Sequence, residues 1–251
     1  MKIGASLGPE EDLEKQIREM PEELEFIEFP LGEKEQMPEE IDKKEVKQAL
    51  DEKNFGLVVH LPFRQRLVTE IEEFNDAVLD YHRRLMKFSE ELGAEKFVVH
   101  ADMRDNDSEE EEELIIEQIK KLDEIGEEMN AEICFENLGH WNGLELFQLG
   151  EVLEELEASM CFDTGHAFSE VGQEEMEEFL DEYSHLISHL HLQDTREGRD
   201  MHLPIGLEEI DFEPVGEKLS GFKGTATMEI FTSDNDYIRL SKQKVEDYWN
   251  S

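Results

Sequence analysis

"ASMCFDTGHAF", residues 158–168, holds the joint on which the fold turns. An apolar run stops at Asp163, and His166 follows across Gly165. A short apolar run without polar alternation is the pattern of a strand covered on both faces, as parallel strands are. Gly165 then permits a tight turn that would swing His166 back over the strand end. Read alone, the segment is either an ordinary turn or a pair of metal ligands. Recurrence elsewhere in the chain decides how much weight it bears.

It recurs. Strand-like segments are "KIGASL" (2–7), "LEFIEFP" (24–30), "FGLVVHLP" (55–62), "KFVVHAD" (96–102), "AEICFEN" (131–137), "ASMCFDT" (158–164), "ISHLHLQD" (187–194) and "ATMEIF" (226–231). Helical segments fill the gaps. In 66–92, Leu67, Ile71, Phe74, Val78, Tyr81, Leu85, Phe88 and Leu92 follow 4–3 spacing and form one apolar stripe, with Gly93 as the stop. The next helix is expected to start near Asp107 or Ser108, with "EEEEE" (109–113) in its first turn, where carboxylates suit the positive end of the helix dipole. Strand–helix alternation over 251 residues predicts an α/β fold, a single (β/α)8 barrel filling one domain, 1–251. A doubly wound open sheet is the alternative, and it lacks a Gly-rich dinucleotide loop after the first strand.

In such a barrel, chemistry sits at the C-terminal strand ends. The third to sixth segments end their apolar runs at His60, His100, Glu136 (with Asn137 beside it) and Asp163. The seventh carries His191 and the eighth Glu229, while the loop after the seventh, "RDMHLPIG", adds Asp200 and His202 two residues apart. One such residue is more often a hydrogen-bonded structural group. Barrel closure brings the whole set into one ring, where uncompensated carboxylates would repel one another and their pKa values would rise. Imidazole and carboxylate are natural ligands for a divalent metal, which removes the conflict. Cys134 and Cys161 lie two residues before Glu136 and Asp163, on the same face and one layer deeper, as small core filler, with a metal-ligand role as the alternative. His189 shares a face with His191 and is left outside the ligand set. His82, His140 and His185 fall in helices or loops and are read as structural.

Composition bounds the partners. The chain has 24 basic and 66 acidic residues, a net charge of −42. At molar salt the Debye length falls to about 3 Å, so such a surface suits a high-salt cytoplasm and suggests a halophilic source. No apolar stretch is long enough to span a membrane, and no signal peptide is evident. Two cysteines are too few for a disulfide framework, so a cytoplasmic location with reduced thiols is expected. The oligomeric state is open.

"CFEN", "CFDTGHAF", "HLHLQD", "DMHLPIG" and "TMEIF" together resemble the xylose isomerase-like (β/α)8 superfamily, from the first strand to about residue 231. That superfamily includes sugar isomerases, sugar-phosphate epimerases and AP endonucleases of the endonuclease IV type. In its epimerase-like branch, the resemblance implies one divalent metal (Mn, Zn, Co or Mg) held by Glu136, Asp163, His191 and Glu229. The metal would grip a sugar carbonyl and the neighbouring hydroxyl. Glu136 and Glu229 would then remove and return a proton through an enediolate. His166 and Arg196, with His60 and His100 nearby, are the expected substrate-binding residues. In the endonuclease-like branch, three zinc ions would be held by His60, His100, Glu136, Asp163, His166, His191, Asp200, His202 and Glu229. DNA binding needs several Lys/Arg contacts to phosphate, and the chain has no basic stripe, although Arg64, Arg66 and Arg104 follow the third and fourth segments. "DMHLPIG" is also closer to the sugar enzymes than to the "DRHEHIG"-like stretch usual in the nucleases. The expectation is an isomerase or epimerase acting on a sugar or sugar phosphate, with the AP endonuclease and a non-catalytic metal-binding barrel as alternatives.

Overall fold

All eight expected strands form in the computed structural model, and they close on themselves. The structure describes residues 1–8, 12–33, 36–102, 109–139 and 143–249, apart from the side chains of 109–111. The barrel strands are β1 (Lys2–Ser6), β2 (Phe26–Pro30), β3 (Gly56–His60), β4 (Lys96–His100), β5 (Glu132–Glu136), β6 (Ser159–Asp163), β7 (Ile187–Leu192) and β10 (Thr225–Met228). They pair in parallel in the order β1-β10-β7-β6-β5-β4-β3-β2 as a closed barrel. Helices α1 (Leu13–Glu19), α2 (Lys43–Lys53), α3 (Glu72–Glu90), α4 (Glu109–Met129), α5 (Leu146–Leu156), α6 (Thr164–Tyr183), α7 (Phe212–Lys218) and α8 (Asn235–Trp249) complete the (β/α)8 architecture. No helix among the described residues is long and apolar enough to cross a membrane.

Helix stops set the register of the strands that follow. Asn54, Gly93, Asn130 and Glu157 all have positive φ, and each lies two or three residues ahead of β3, β4, β5 or β6. A left-handed residue at this place satisfies the last helical carbonyls and turns the chain sharply into the sheet. Gly93 is thus the stop that the sequence indicated.

Alternation along the strands then builds two cores. Val59, Val99, Phe135 and Phe162 join the large core shared with the helices. Phe26, Val58, Val98, Cys134 and Cys161 form a separate buried cluster that plugs the barrel interior. Gly4 of β1 makes room for this plug, since a Cβ there would lie 2.6 Å from the Phe26 ring. One inward position further along these strands, apolar residues give way to Glu28, His60, His100, Glu136 and Asp163.

Three local expectations need correction. α3 starts at Glu72, not at 66, because the preceding residues are tied across the mouth of the barrel. Leu67 N donates to the Asp102 carboxylate at 3.1 Å and Val68 N to the Asp102 carbonyl at 3.2 Å. The stripe is shifted accordingly: Ile71 and Phe74 are exposed, and α3 buries Asn75, Leu79, His82, Leu85, Met86 and Ser89. The eighth strand ends at Met228, so Glu229 stands just beyond it, its N–H still bonded to the Leu192 carbonyl at 3.0 Å. Asp200 and His202 sit on a short antiparallel ribbon, β8 (Asp194–Arg196) and β9 (Arg199–Leu203), instead of a plain loop. α4 opens on the acidic run as expected, while its expected start at Asp107 or Ser108, together with Arg104 and His140, lies outside the described residues.

Candidate metal centre

β6 passes directly into α6, with no intervening turn. Asp163 caps the helix, accepting the His166 N–H at 2.7 Å. Gly165 is needed for space: a Cβ there would lie 2.7 Å from Cδ of Gln193. This close approach lets Gln193 donate to both Asp163 oxygens, at 3.2 and 3.0 Å, and accept the His202 N–H at 2.9 Å. Asn137 clamps the Asp163 backbone, accepting from its N–H at 2.8 Å and donating to its carbonyl at 3.0 Å. The local sequence therefore aims one carboxylate inward and holds it from three sides.

Around it the strand ends converge. One donor atom each of Glu136, Asp163, His191 and Glu229 lies within 4.8 Å of all the others, and the same holds for His60, His100 and Glu136. His191 Nδ1 is 3.1 Å from Glu136 Oε1, 3.1 Å from Glu229 Oε2 and 3.9 Å from Asp163 Oδ2. Glu136 also faces His60 Nε2 at 3.2 Å and His100 Nε2 at 3.1 Å. Nearer solvent, Asp200 lies between His166 Nε2 at 3.5 Å and His202 Nε2 at 3.1 Å.

Hydrogen-bond accounting tells which ring nitrogens carry protons. Carbonyls and carboxylates only accept. His60 Nδ1 donates to the Leu61 carbonyl at 2.7 Å, and His166 Nδ1 to the Asn137 carbonyl at 3.0 Å. His202 Nδ1 contacts the Glu229 carbonyl at 3.3 Å, and His191 meets carboxylate at both nitrogens, Glu28 at Nε2 (3.0 Å) and Glu136 at Nδ1 (3.1 Å). In the neutral ring each of the four therefore turns a bare nitrogen toward carboxylate oxygen. Two things relieve that opposition: a second proton on each ring, or a cation between the groups.

The electrostatics show the same pressure. Burial opposes protonation of His191, but Cys161, Glu28, Glu136 and Glu229 outweigh it and draw its pKa well above the ordinary value. Burial likewise opposes protonation of His202, yet its bond to Asp200 prevails and raises it to about 9. Glu136 would be raised by burial but is held well below the carboxylate range by the charges of His191 and His100 and by hydrogen bonds from His100 and His166. Burial lifts Asp163 to about 6, with Glu136 and Glu229 adding to the rise against the pull of His166. Oxygen and imidazole donors in this number, with bare nitrogens facing anions, fit a divalent ion.

The expected site residues divide clearly. His60, His100, Glu136, Asp163, His166, His191, Asp200, His202 and Glu229 all gather at the mouth. Arg196 is half exposed on β8, and its guanidinium is held by Glu208, with Nε 2.8 Å from Oε2. Arg64 is paired with Glu33 at 3.3 Å. His185 is exposed, 3.3 Å from Glu154. Cys134 and Cys161 lie in the apolar plug, where burial pushes the Cys134 thiol up to about 12 and the Cys161 thiol well above its ordinary value. Sequence reading missed Glu28, Gln193 and the full role of Asn137. Glu28 had a usable signal: it sits between Ile27 and Phe29 in a strand with no solvent face, where a carboxylate needs a partner.

Solved structures share this architecture over their whole length. A D-tagatose 3-epimerase-like protein is 22% identical, with a TM-score of 0.79, covering 100% of this chain and 97% of that one. The 3-keto-D-glucoside 4-epimerase of E. coli is 17% identical with a TM-score of 0.78, covering 98% and 99%. A D-allulose 3-epimerase from Methylomonas sp., solved with D-allulose, is 16% identical with a TM-score of 0.79, covering 98% and 96%. Identities this low establish the common fold. Among proteins of curated function there is no sequence match. The family model described as xylose isomerase-like TIM barrel matches residues 18–248, and the chain belongs to that family.

Proposed function

We propose that the chain is a divalent-metal-dependent isomerase or epimerase of a sugar or sugar phosphate, acting by proton transfer. One observation carries this: Glu136 and Glu229 approach His191 Nδ1 at 3.1 Å each from strands separated by two others in the barrel. Two carboxylates brought to one point from different directions can serve two faces of one carbon. A divalent ion held by Glu136, Asp163, His191 and Glu229 would supply a Lewis acid for the developing oxyanion. The chain's own part is to hold that set rigid and to move the proton. Glu229, 17% exposed against 1% for Glu136 at the side chain, is the more accessible to substrate. One glutamate removes the proton beside the carbonyl, and the other, protonated at the outset, delivers its own solvent-exchanged proton to the opposite face of the enediolate. His166, fixed by Asn137, would hold a substrate oxygen. Arg196 would first have to leave Glu208.

Ketohexoses are the first substrates to test, because similarly folded proteins are named as D-tagatose 3-epimerase-like and D-allulose 3-epimerase. Incubation of Mn2+- or Co2+-loaded protein with each ketose in D2O should place deuterium at the reacting carbon. Glu136→Gln and Glu229→Gln should each reduce turnover by at least about 100-fold, the low end for a lost general acid or base, with the circular dichroism of the folded protein unchanged. Near-wild-type turnover in either variant would refute the mechanism.

A second function has its own support. His60, His166 and His202 also turn bare nitrogens toward carboxylates, the arrangement expected if three cations are bound, as in a phosphodiester-cleaving nuclease. The net charge of −42 opposes it, since polyanion binding needs cationic contacts. Metal analysis of protein purified at high salt separates the two. Close to one ion per chain favours the epimerase; close to three zinc ions, with cleavage of abasic-site DNA, favours the nuclease.

A further inference from the structure

Beneath the strand-end ligands lies a buried group that none of the preceding chemistry uses. Glu28 of β2 is 2% exposed, at the centre of the barrel. Its Oε1 accepts from His191 Nε2 at 3.0 Å. Its Oε2 accepts from His189 Nε2 at 3.0 Å and from the Thr227 hydroxyl at 2.6 Å. The Thr225 hydroxyl, 2.6 Å from His189 Nδ1, closes the network. A carboxylate at Glu28 gives each of these donors an acceptor. Hydrogen on Nε2 of both imidazoles satisfies Glu28, with His189 Nδ1 accepting from Thr225; His191 Nδ1, 3.1 Å from Glu136, then stands bare toward the strand-end acids. With both oxygens engaged by three donors, Glu28 is an acceptor platform behind the strand-end set.

We propose that Glu28 is the positioning residue of the metal centre, fixing His191 in the tautomer that presents Nδ1 to a divalent cation and locking the ring in that direction. The geometry is that of a carboxylate–histidine–metal relay, in which the carboxylate orients the ligand and increases its basicity. His189 and Thr227 serve in turn to hold Glu28. The two histidines of "HLHL" thus have unlike duties: one faces the cation, the other steadies the carboxylate behind it. The role rests on the proposed divalent site, and the test separates the two.

Titration of metal-free protein with Mn2+ and Co2+ gives the affinity, and the visible spectrum of the Co2+ form reports the ligand geometry. Glu28→Leu, which removes the acceptor, should weaken binding by roughly 10–100-fold and alter the Co2+ spectrum. Glu28→Gln keeps an accepting oxygen toward His191 and should restore most of the affinity and the wild-type spectrum. A purely structural Glu28 would lower the melting temperature yet leave the affinity and spectrum of the folded protein unchanged, which would overturn the proposal. Should Glu28→Leu not fold, the wild type still decides. Imidazole 15N resonances of the Zn2+-loaded protein should show His191 protonated on Nε2 and coordinated through Nδ1, and the opposite tautomer would refute the role. Failure of the wild type to bind any of these ions would instead remove the metal site itself.

Discussion

His82, buried in the middle of α3, finds no hydrogen-bond partner for either ring nitrogen among the described residues. Burial alone pushes its pKa down to about 4. The ordinary value in an unfolded chain is about 6.5, so between pH 6.5 and 4 the unfolded state takes up a proton that the folded state refuses. Stability from this group is complete above pH 6.5 and lost as pH falls through that window, about 3 kcal/mol in all at 1.36 kcal/mol per pKa unit. His82→Leu should remove this component and raise the urea midpoint at pH 5 relative to wild type. Parallel pH profiles for the two proteins would exclude it. Residue-level legibility followed depth. His60, His100, Glu136 and Asp163 end their strands, and an ending polar residue is conspicuous. Glu28 pairs with Val58, while Pro30 reaches the level of His60. Its strand continues past it, so the apolar run hid it.

At the scale of elements, the joint of β6 and α6 governs the site. The sequence showed a strand, a glycine and a histidine, and the expected turn proved to be the first turn of a helix. What a single segment cannot show is its neighbour: Gly165 is there for Gln193, which arrives from β7. Gly165→Ala would place a methyl 2.7 Å from the buried Gln193 side chain and force it away from Asp163 and the His202 amide. We expect a loss of about 1–3 kcal/mol from overpacking, together with weaker metal binding, read by thermal melting and metal titration. Unchanged metal affinity would mean that Gln193 does not hold Asp163 in place. α3 makes the same point in reverse. Its periodicity ran on to Leu67, but the bonds from Leu67 and Val68 to Asp102 are long-range and claimed the first turn. Strand-to-helix rhythm was legible because it is local; the ribbon β8–β9 was not, because its pairing is three residues long on one side and serves the site above all.

For the whole molecule, charge and closure act separately. Barrel closure follows from eight apolar strands, and no acidic residue is needed to explain it. The excess of 66 acidic over 24 basic residues lies in the solvent's domain, where it destabilises the compact state through self-repulsion. Screening should relieve this: raising KCl from 0.1 to 2 M is expected to add about 3 kcal/mol, near 10 °C in melting temperature for a chain of this size. A melting temperature indifferent to salt would refute the adaptation suggested by the composition. The apolar plug has a further consequence for the two sulfurs it contains. Cys134 and Cys161 are fully buried, with thiolates disfavoured, so reagents that need a thiolate meet neither of them in the closed barrel. Alkylation of either sulfur therefore waits on opening of the strands themselves, and the chain carries, in two unreactive side chains at its axis, a built-in clock of its own unfolding.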